Sequence, residues 1–410
     1  MQTLYFSSRV SPIRGAVQAR IPELDGIRGM AIALVLLRHL YFGVIDAPPG
    51  SPLSYVQAAG RLSWSGVDLF FVLSGFLIGG ILLDNRSADN YFKVFYTRRF
   101  FRIVPIYLLC VVAMFLLMRM VQSGALPRLA FLTSVKPTPW LPHLVFLQNF
   151  WMAARNSGGV LSITWSLAVE EQFYLTLPLV VRLLQSKHLF KFAGAVVLAA
   201  PLFRLVLFVM WPGHAWAGFA LLPCRADSLM LGVLGALAMR NPRWRMRIEN
   251  HRSVMLLLLA VLAAGLAALT RYSPDAFSFG MQTIGFTWIA LFYLCFLLYA
   301  LTYRQSRIST ILRFCPLCGL GTIAYGVYLY QTFTTAILFG LFYSAWPRVS
   351  DLRSLSVSAG VVLLTVILAR ASWRYFEQPL MHIAHRTSYE FGATLKSKLL
   401  PFRQPQRSAT

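Results

Sequence analysis

Ten apolar segments, each long enough to cross a hydrocarbon core, restrict what this chain can fold into. They fall at about residues 29–46, 66–84, 101–119, 160–181, 193–211, 218–239, 253–270, 282–302, 319–341 and 354–373. Inside a bilayer no water is present to bond a bare peptide group, so segments of this length must close their own hydrogen bonds as helices. Only 13% of the residues are charged, against the usual quarter in soluble domains, and the mean hydropathy is +0.62. A soluble multidomain chain would need several cores with almost no polar covering. The expectation is therefore an all-α membrane protein, a polytopic bundle of about ten transmembrane helices. An even count returns both termini to the same side.

The charges choose that side. The chain holds 38 Lys and Arg against 14 Asp and Glu, a net charge of +24. In a soluble protein this would point to nucleic acid. With the N-terminus inside, 27 of the basic residues fall in cytoplasmic segments and helix ends and 8 in outer ones. Arg38, Arg204 and Arg225 lie within helices. Positive residues hold segments on the cytoplasmic side, so this bias accounts for the charge and removes the need for nucleic acid. The domain expectation is a cytoplasmic arm at 1–22, a transmembrane domain at 23–384 and a basic cytoplasmic tail at 385–410. Residues 1–22 contain no apolar stretch of the signal-peptide kind, so the first helix is expected to act as an uncleaved anchor. The connection at about 120–159, with four prolines, Trp140 and Trp151, reads as an ordered, partly helical outer loop. Cys315-Pro-Leu-Cys318 has C-x-x-C spacing, but no second pair or histidine cluster accompanies it, so it is read as structural with no metal.

Titratable groups at membrane depth are expensive and point to function. The first apolar segment is led by Leu24-Asp25-Gly26-Ile27-Arg28 and carries His39 eleven residues after Arg28. Eleven helical residues rise about 16 Å, roughly half the core. His39 is then the one histidine of seven at that depth. Glu170, ten residues into the fourth segment, reaches a matching depth from the other side. A carboxylate partner would orient the imidazole and raise its basicity, so that it takes a proton from an attacking hydroxyl. A His–Glu pair that only packs helices reads equally well from these residues. Glu170 and Glu171 are adjacent and face different ways. One is expected at the site and the other against a neighbour such as Arg204 or Arg225.

Arg99 and Arg102 share a helix face at the expected cytoplasmic mouth of the third segment, level with Arg28. Three forked guanidinium groups suit phosphate oxygens, and positive-inside topology explains the same residues without a ligand. Asp68, Trp165, Arg225, Tyr328 and Gln331 are structural or site-lining candidates. Trp165 and Trp140 fit an outer aromatic belt, and Tyr325, Tyr328, Tyr330 and Gln331 either line a cavity or bond across the bundle. Ser74 has no G-x-S-x-G context and is read as packing.

Four stretches in order resemble the acyltransferase-3 family of integral membrane acyltransferases. They are Leu24-Asp25-Gly26-Ile27-Arg28-Gly29 with ten residues between Arg28 and His39, Gly66 to Phe76, Arg98 to Pro105 with its R-x-x-R, and Thr164 to Tyr174. The resemblance covers about 20–380. It implies a multi-pass enzyme of the bacterial cytoplasmic (inner) membrane that moves an acyl group, often acetyl, from acyl-CoA to a sugar hydroxyl. Acceptors in such a family are polysaccharide, lipopolysaccharide, peptidoglycan, Nod factors or macrolides. It implies no permanently bound cofactor, acetyl-CoA as co-substrate, and the lipid bilayer and a glycan as partners. His39 matches the family's catalytic histidine, and Arg28, Arg99 and Arg102 match its essential arginines. Two departures stand out. Tyr330-Gln331 occupies the place where many relatives carry a histidine, and the chain ends at Thr410 without the hydrolase-like domain that some relatives append. A proton-coupled transporter of a small solute, or an acyl-CoA binder serving a separate enzyme, remains the alternative to an acyltransferase.

Overall fold

The structure is a computed structural model that describes residues 21–48, 50–135, 139–273 and 275–392. Residues 1–20 of the expected arm (1–22) and 393–410 of the expected tail (385–410) lie outside the described residues. Ten long helices organise the rest. They are α1 (Pro22–Leu37), α2 (Gly66–Asp84), α3 (Tyr91–Gln122), α4 (Trp165–Leu183), α5 (Ser186–Met210), α6 (Leu222–Arg240), α7 (Arg252–Tyr272), α8 (Phe286–Thr302), α9 (Ala324–Tyr343) and α10 (Leu352–Ser372). Among the described residues the only strand-like pairing is an isolated bridge between Ile45 and Val349.

Seven helical stretches are long and apolar enough to cross a membrane: Pro52–Asp84, Tyr91–Gln122, Ser186–Met210, Ala215–Arg240, Arg252–Tyr272, Met281–Thr302 and Leu352–His385. The chain is thus a multi-pass membrane protein. The other three long helices, α1, α4 and α9, coincide with expected segments but are more polar. α1 carries Glu23, Asp25 and Arg28, α4 carries Glu170, Glu171 and Arg182, and α9 carries four tyrosines and Gln331.

Exposure sorts the helices into two kinds. On α5, Leu198, Val209 and Met210 are more than half exposed, as are Leu257 and Val261 on α7, which is the surface expected against lipid. α2, α6 and α8 are mostly buried. α2 crosses α6 backbone against backbone, because a Cβ on Gly75 would stand 1.9 Å from the Leu229 carbonyl and one on Gly232 2.2 Å from that of Val72. Small residues at such crossings let helices pack without a hydrophobic driving force.

The bundle is stapled by charges. Arg204 on α5 donates to Asp227 on α6 at 2.9 Å, to Thr287 Oγ1 at 2.8 Å, and to the carbonyls of Cys224, Gln282 and Thr283. Arg225 pairs with Asp68 and lies 3.9 Å from the Phe286 ring centre, with Phe71, Trp165 and Phe219 around it. These partners correct two expectations. Asp227 and Asp68, not Glu170 or Glu171, neutralise the two interior arginines. Trp165 is buried against Arg225 and does not sit in an outer belt, whereas Trp140 is exposed. The loop after α3 is helical as expected, with turns at Pro127–Ser134, Trp140–Leu144 and Gln148–Arg155.

Candidate active site

α1 carries the site. Pro22 opens it, where a missing N–H costs nothing. Gly26 then crosses the end of the short helix Arg307–Leu312, and Gly29 crosses the short helix Cys315–Thr322. A Cβ on Gly26 would lie 1.9 Å from the Leu312 carbonyl and one on Gly29 2.0 Å from that of Leu317. The Asp-Gly-Ile-Arg-Gly spelling is therefore a packing requirement as well as a chemical one. Glu23, buried at the start of α1, receives both Arg304 nitrogens at 3.0 Å and Arg313 at 3.3 Å. Burial works against its charge, but the two arginines outweigh it and hold the carboxyl below its usual range.

At its C-terminal end α1 widens into a π-helical turn, Arg38–Phe42, of the kind often found at functional sites. His39 sits in that turn. Its Nδ1 is 2.8 Å from the Val35 carbonyl. A carbonyl only accepts, so Nδ1 carries the proton, and in the neutral ring Nε2 keeps the lone pair. The His39 side chain is exposed. The sequence expected a glutamate to hold this ring. The structure gives that task to the main chain one turn back.

Glu170 lies elsewhere. It stands against Ser74 and Tyr174, whose hydroxyls share a hydrogen bond, and within electrostatic reach of Arg99 and Arg102. Glu171 is near Arg99 and Tyr325, and its Oε1 is buried with no partner among the described residues. The reason is the length of α3. It starts at Tyr91, ten residues before the expected segment, so Arg99 and Arg102 are about 12 and 16 Å inside the helix and not at its mouth. They meet Glu170 within the bundle. Arg28, paired with Asp25 at 2.9 Å, is electrostatically coupled to both. The structure thus brings Arg28, Arg99 and Arg102 together, as the sequence expected. It adds three glutamates to them. Arg98, on another face of α3, donates instead to the Thr387 carbonyl at 2.7 Å.

The third of those glutamates, Glu377, was missed. It is buried, accepts from Ser372 at 2.9 Å and lies within reach of Arg102. The tenth apolar segment ends at residue 373, and a π turn at Trp373–Glu377 carries the carboxyl four residues further. An acidic residue just beyond an apolar run, among only 14 in the chain, was the available signal. Tyr328 bonds across the bundle: its hydroxyl donates to the Ile163 carbonyl at 2.6 Å and pairs with Ser166 at 2.7 Å. Gln331 is buried, donates to the Tyr328 carbonyl at 3.2 Å and leaves its Oε1 unbonded among the described residues.

Along α1, then, a guanidinium–carboxylate cluster and an accessible imidazole lie about 16 Å apart. One end suits an anionic ligand and the other can move a proton. The model of the acyltransferase domain of the acyltransferase-3 type matches residues 21–373. The peptidoglycan O-acetyltransferase OatA of Listeria monocytogenes is 27% identical over 388 residues, covering 88% of this chain and 56% of the relative. The O-acetyltransferase OatA of Staphylococcus aureus is 25% identical, covering 88% and 57%. The chain spans little more than half the length of these curated relatives. No solved structure matches it.

Proposed function

We propose that this chain, which belongs to the acyltransferase-3 family, transfers an acetyl group from acyl-CoA to a hydroxyl of a sugar-containing acceptor of the peptidoglycan type. The observation that carries the proposal is the 2.8 Å contact between His39 Nδ1 and the Val35 carbonyl. Nδ1–H donates to the Val35 carbonyl, and in the neutral ring this leaves Nε2 as the base of an exposed side chain.

In this reading Nε2 takes the proton of the acceptor hydroxyl as its oxygen attacks the thioester carbonyl. The tetrahedral intermediate collapses to the new ester and expels the CoA thiolate, which recovers the proton from the imidazolium. Electrons and protons balance without a metal or redox partner. A positioned general base of this kind contributes about 10²–10⁴ in rate. Arg28, Arg99 and Arg102 receive the donor's phosphates. Arg102 makes no hydrogen bond or ion pair among the described residues, and Arg99 Nε is buried without a partner. Both therefore have donors to offer. The glutamates beside them hold the arginine forks apart before the donor arrives. The chain sits in the bacterial cytoplasmic membrane with the arginine end of α1 facing the cytoplasm, in keeping with the charge bias of the segments.

The test is transfer from acetyl-CoA to muropeptide by the detergent-purified full chain. His39→Ala should abolish acetyl transfer while the melting temperature stays within a few degrees of wild type. Unchanged transfer by that variant would remove His39 as the base.

A further inference from the structure

A cavity of about 270 Å³ lies at the C-terminal end of α1, lined by Arg38, Arg61, Trp64, Asp275 and Ala276. Arg38 directly precedes His39 in the same π turn. Its guanidinium folds over Gly43, where an added Cβ would come 3.2 Å from Nε. The cavity thus begins one residue from the imidazole and at the opposite end of α1 from the arginine cluster.

Its lining is not a balanced ion pair. Two guanidinium groups face one carboxylate. Asp275 acts on Arg38 electrostatically, but its Oδ1 accepts from the Phe277 N–H at 3.1 Å. Neither Arg38 nor Arg61 makes a hydrogen bond or close ion pair among the described residues. Trp64 adds an aromatic ring, packed edge-on to Phe286 at 5.6 Å, and its indole N–H is buried with no acceptor among the described residues. Forked cations bind carboxylate and phosphate oxygens, and an indole offers an apolar face beside a polar handle. The volume is below that of pockets for drug-sized ligands, so it admits about one sugar residue and not a chain.

We propose that this cavity is the acceptor subsite, and that it selects a sugar bearing a carboxylate or phosphate near the hydroxyl to be acylated. Arg38 and Arg61 hold the anion and Trp64 supports the ring, which presents the neighbouring hydroxyl to His39. The word acceptor rests on the acyl-transfer reading above. The selection for an anionic sugar does not.

Binding to the full-length chain in detergent, without donor, tests this. N-acetylglucosamine, N-acetylmuramic acid and N-acetylglucosamine 1-phosphate are titrated by calorimetry or saturation-transfer NMR. The first two differ by a lactyl carboxylate, and the third supplies a phosphate. At least one anionic probe should bind tenfold or more tightly than N-acetylglucosamine, and which one does so identifies the source of the anion. Arg38→Gln and Arg61→Gln should each remove most of that preference, Arg61→Lys should keep part of it, and Trp64→Ala should weaken all three probes alike. Arg61 is exposed, so Arg61→Gln carries the test even if Arg38→Gln does not fold. Equal affinity for the three probes, no binding of any, or a preference that survives the Gln replacements overturns the proposal. His39→Ala should retain the preference. Loss of the general-base reading would therefore leave this result standing, and the two fail separately.

Discussion

Arg204 and Arg99 are both guanidinium groups carried on long helices away from bulk water, and they are treated in opposite ways. Every nitrogen of Arg204 has an acceptor, from Asp227, Thr287 and three main-chain carbonyls. Arg99 has a buried Nε with none among the described residues, and nearby Glu171 has an unbonded Oε1. A saturated network rigidifies a bundle, whereas an unsaturated one keeps donors and acceptors ready for something that arrives. Charge at membrane depth does not by itself separate a staple from a site; satisfaction separates Arg204 from Arg99, while Arg225, ion-paired to Asp68, still leaves Nε and Nη1 without a hydrogen-bond partner among the described residues.

Four experiments press on that comparison. The largest effect is expected at the unsaturated region's proton-moving partner. His39→Ala should lower acetyl transfer by about 10²–10⁴, with little change in stability, as measured by product mass spectrometry beside thermal melting. Next comes the staple. Arg204→Leu strands Asp227 as a buried unpaired charge and should cost about 3–5 kcal/mol of stability, read as loss of monodisperse protein or a large fall in melting temperature. If Arg204→Leu melted like wild type, the distinction drawn here would be wrong.

Arg99→Gln should do the reverse. Transfer should drop by at least about tenfold, the equivalent of 1.4 kcal/mol, chiefly through a raised KM for acetyl-CoA, while stability moves by less than about 1 kcal/mol because no hydrogen bond of Arg99 is lost. A melting temperature that fell as far as for Arg204→Leu would make Arg99 a staple too.

The smallest effect belongs to Glu23, ahead of the first apolar segment. Its arginine partners are each more than a third exposed, so Glu23→Gln should cost about 1 kcal/mol or less at neutral pH. The folded carboxyl lies below its unfolded value, so its contribution is complete above the ordinary range near pH 4.3 and is lost as pH falls through the folded value. Wild type and Glu23→Gln should therefore converge in melting temperature as pH is lowered from 6 to 3. Divergence on acidification would contradict the assignment.

Much of this architecture is legible in the residues. Apolar length implies membrane helices, and the four motifs imply the family and nominate His39 and the three arginines. Those arginines do converge, since R-x-x-R places two on one face of α3 by helical geometry alone. Partners were less legible. Glu170 was matched to His39 by depth, which measures position along a helix but not the direction a side chain takes or which neighbour it meets. Trp165 was assigned to a belt by its type, and only the contact with Arg225 shows it in the core. Glu377 escaped because a π turn prolongs α10 past its apolar run.

The sequence by itself determined that the chain enters a bilayer as helices, with an imidazole eleven residues after one guanidinium on α1 and two further guanidiniums on one face of α3. Composition and periodicity suffice for this because hydrocarbon leaves a backbone few alternatives. Tertiary structure alone decided which charges are spent on holding helices together and which stay open. It also decided that a carbonyl, not a carboxylate, holds His39, and that Arg38, Arg61 and Trp64, neither arginine hydrogen-bonded among the described residues, line one cavity at the end of α1. Those choices depend on helix start points, π turns and glycine crossings. Each shifts a side chain by a fraction of a turn, too little to leave a mark in apolar periodicity and enough to change every partner it has.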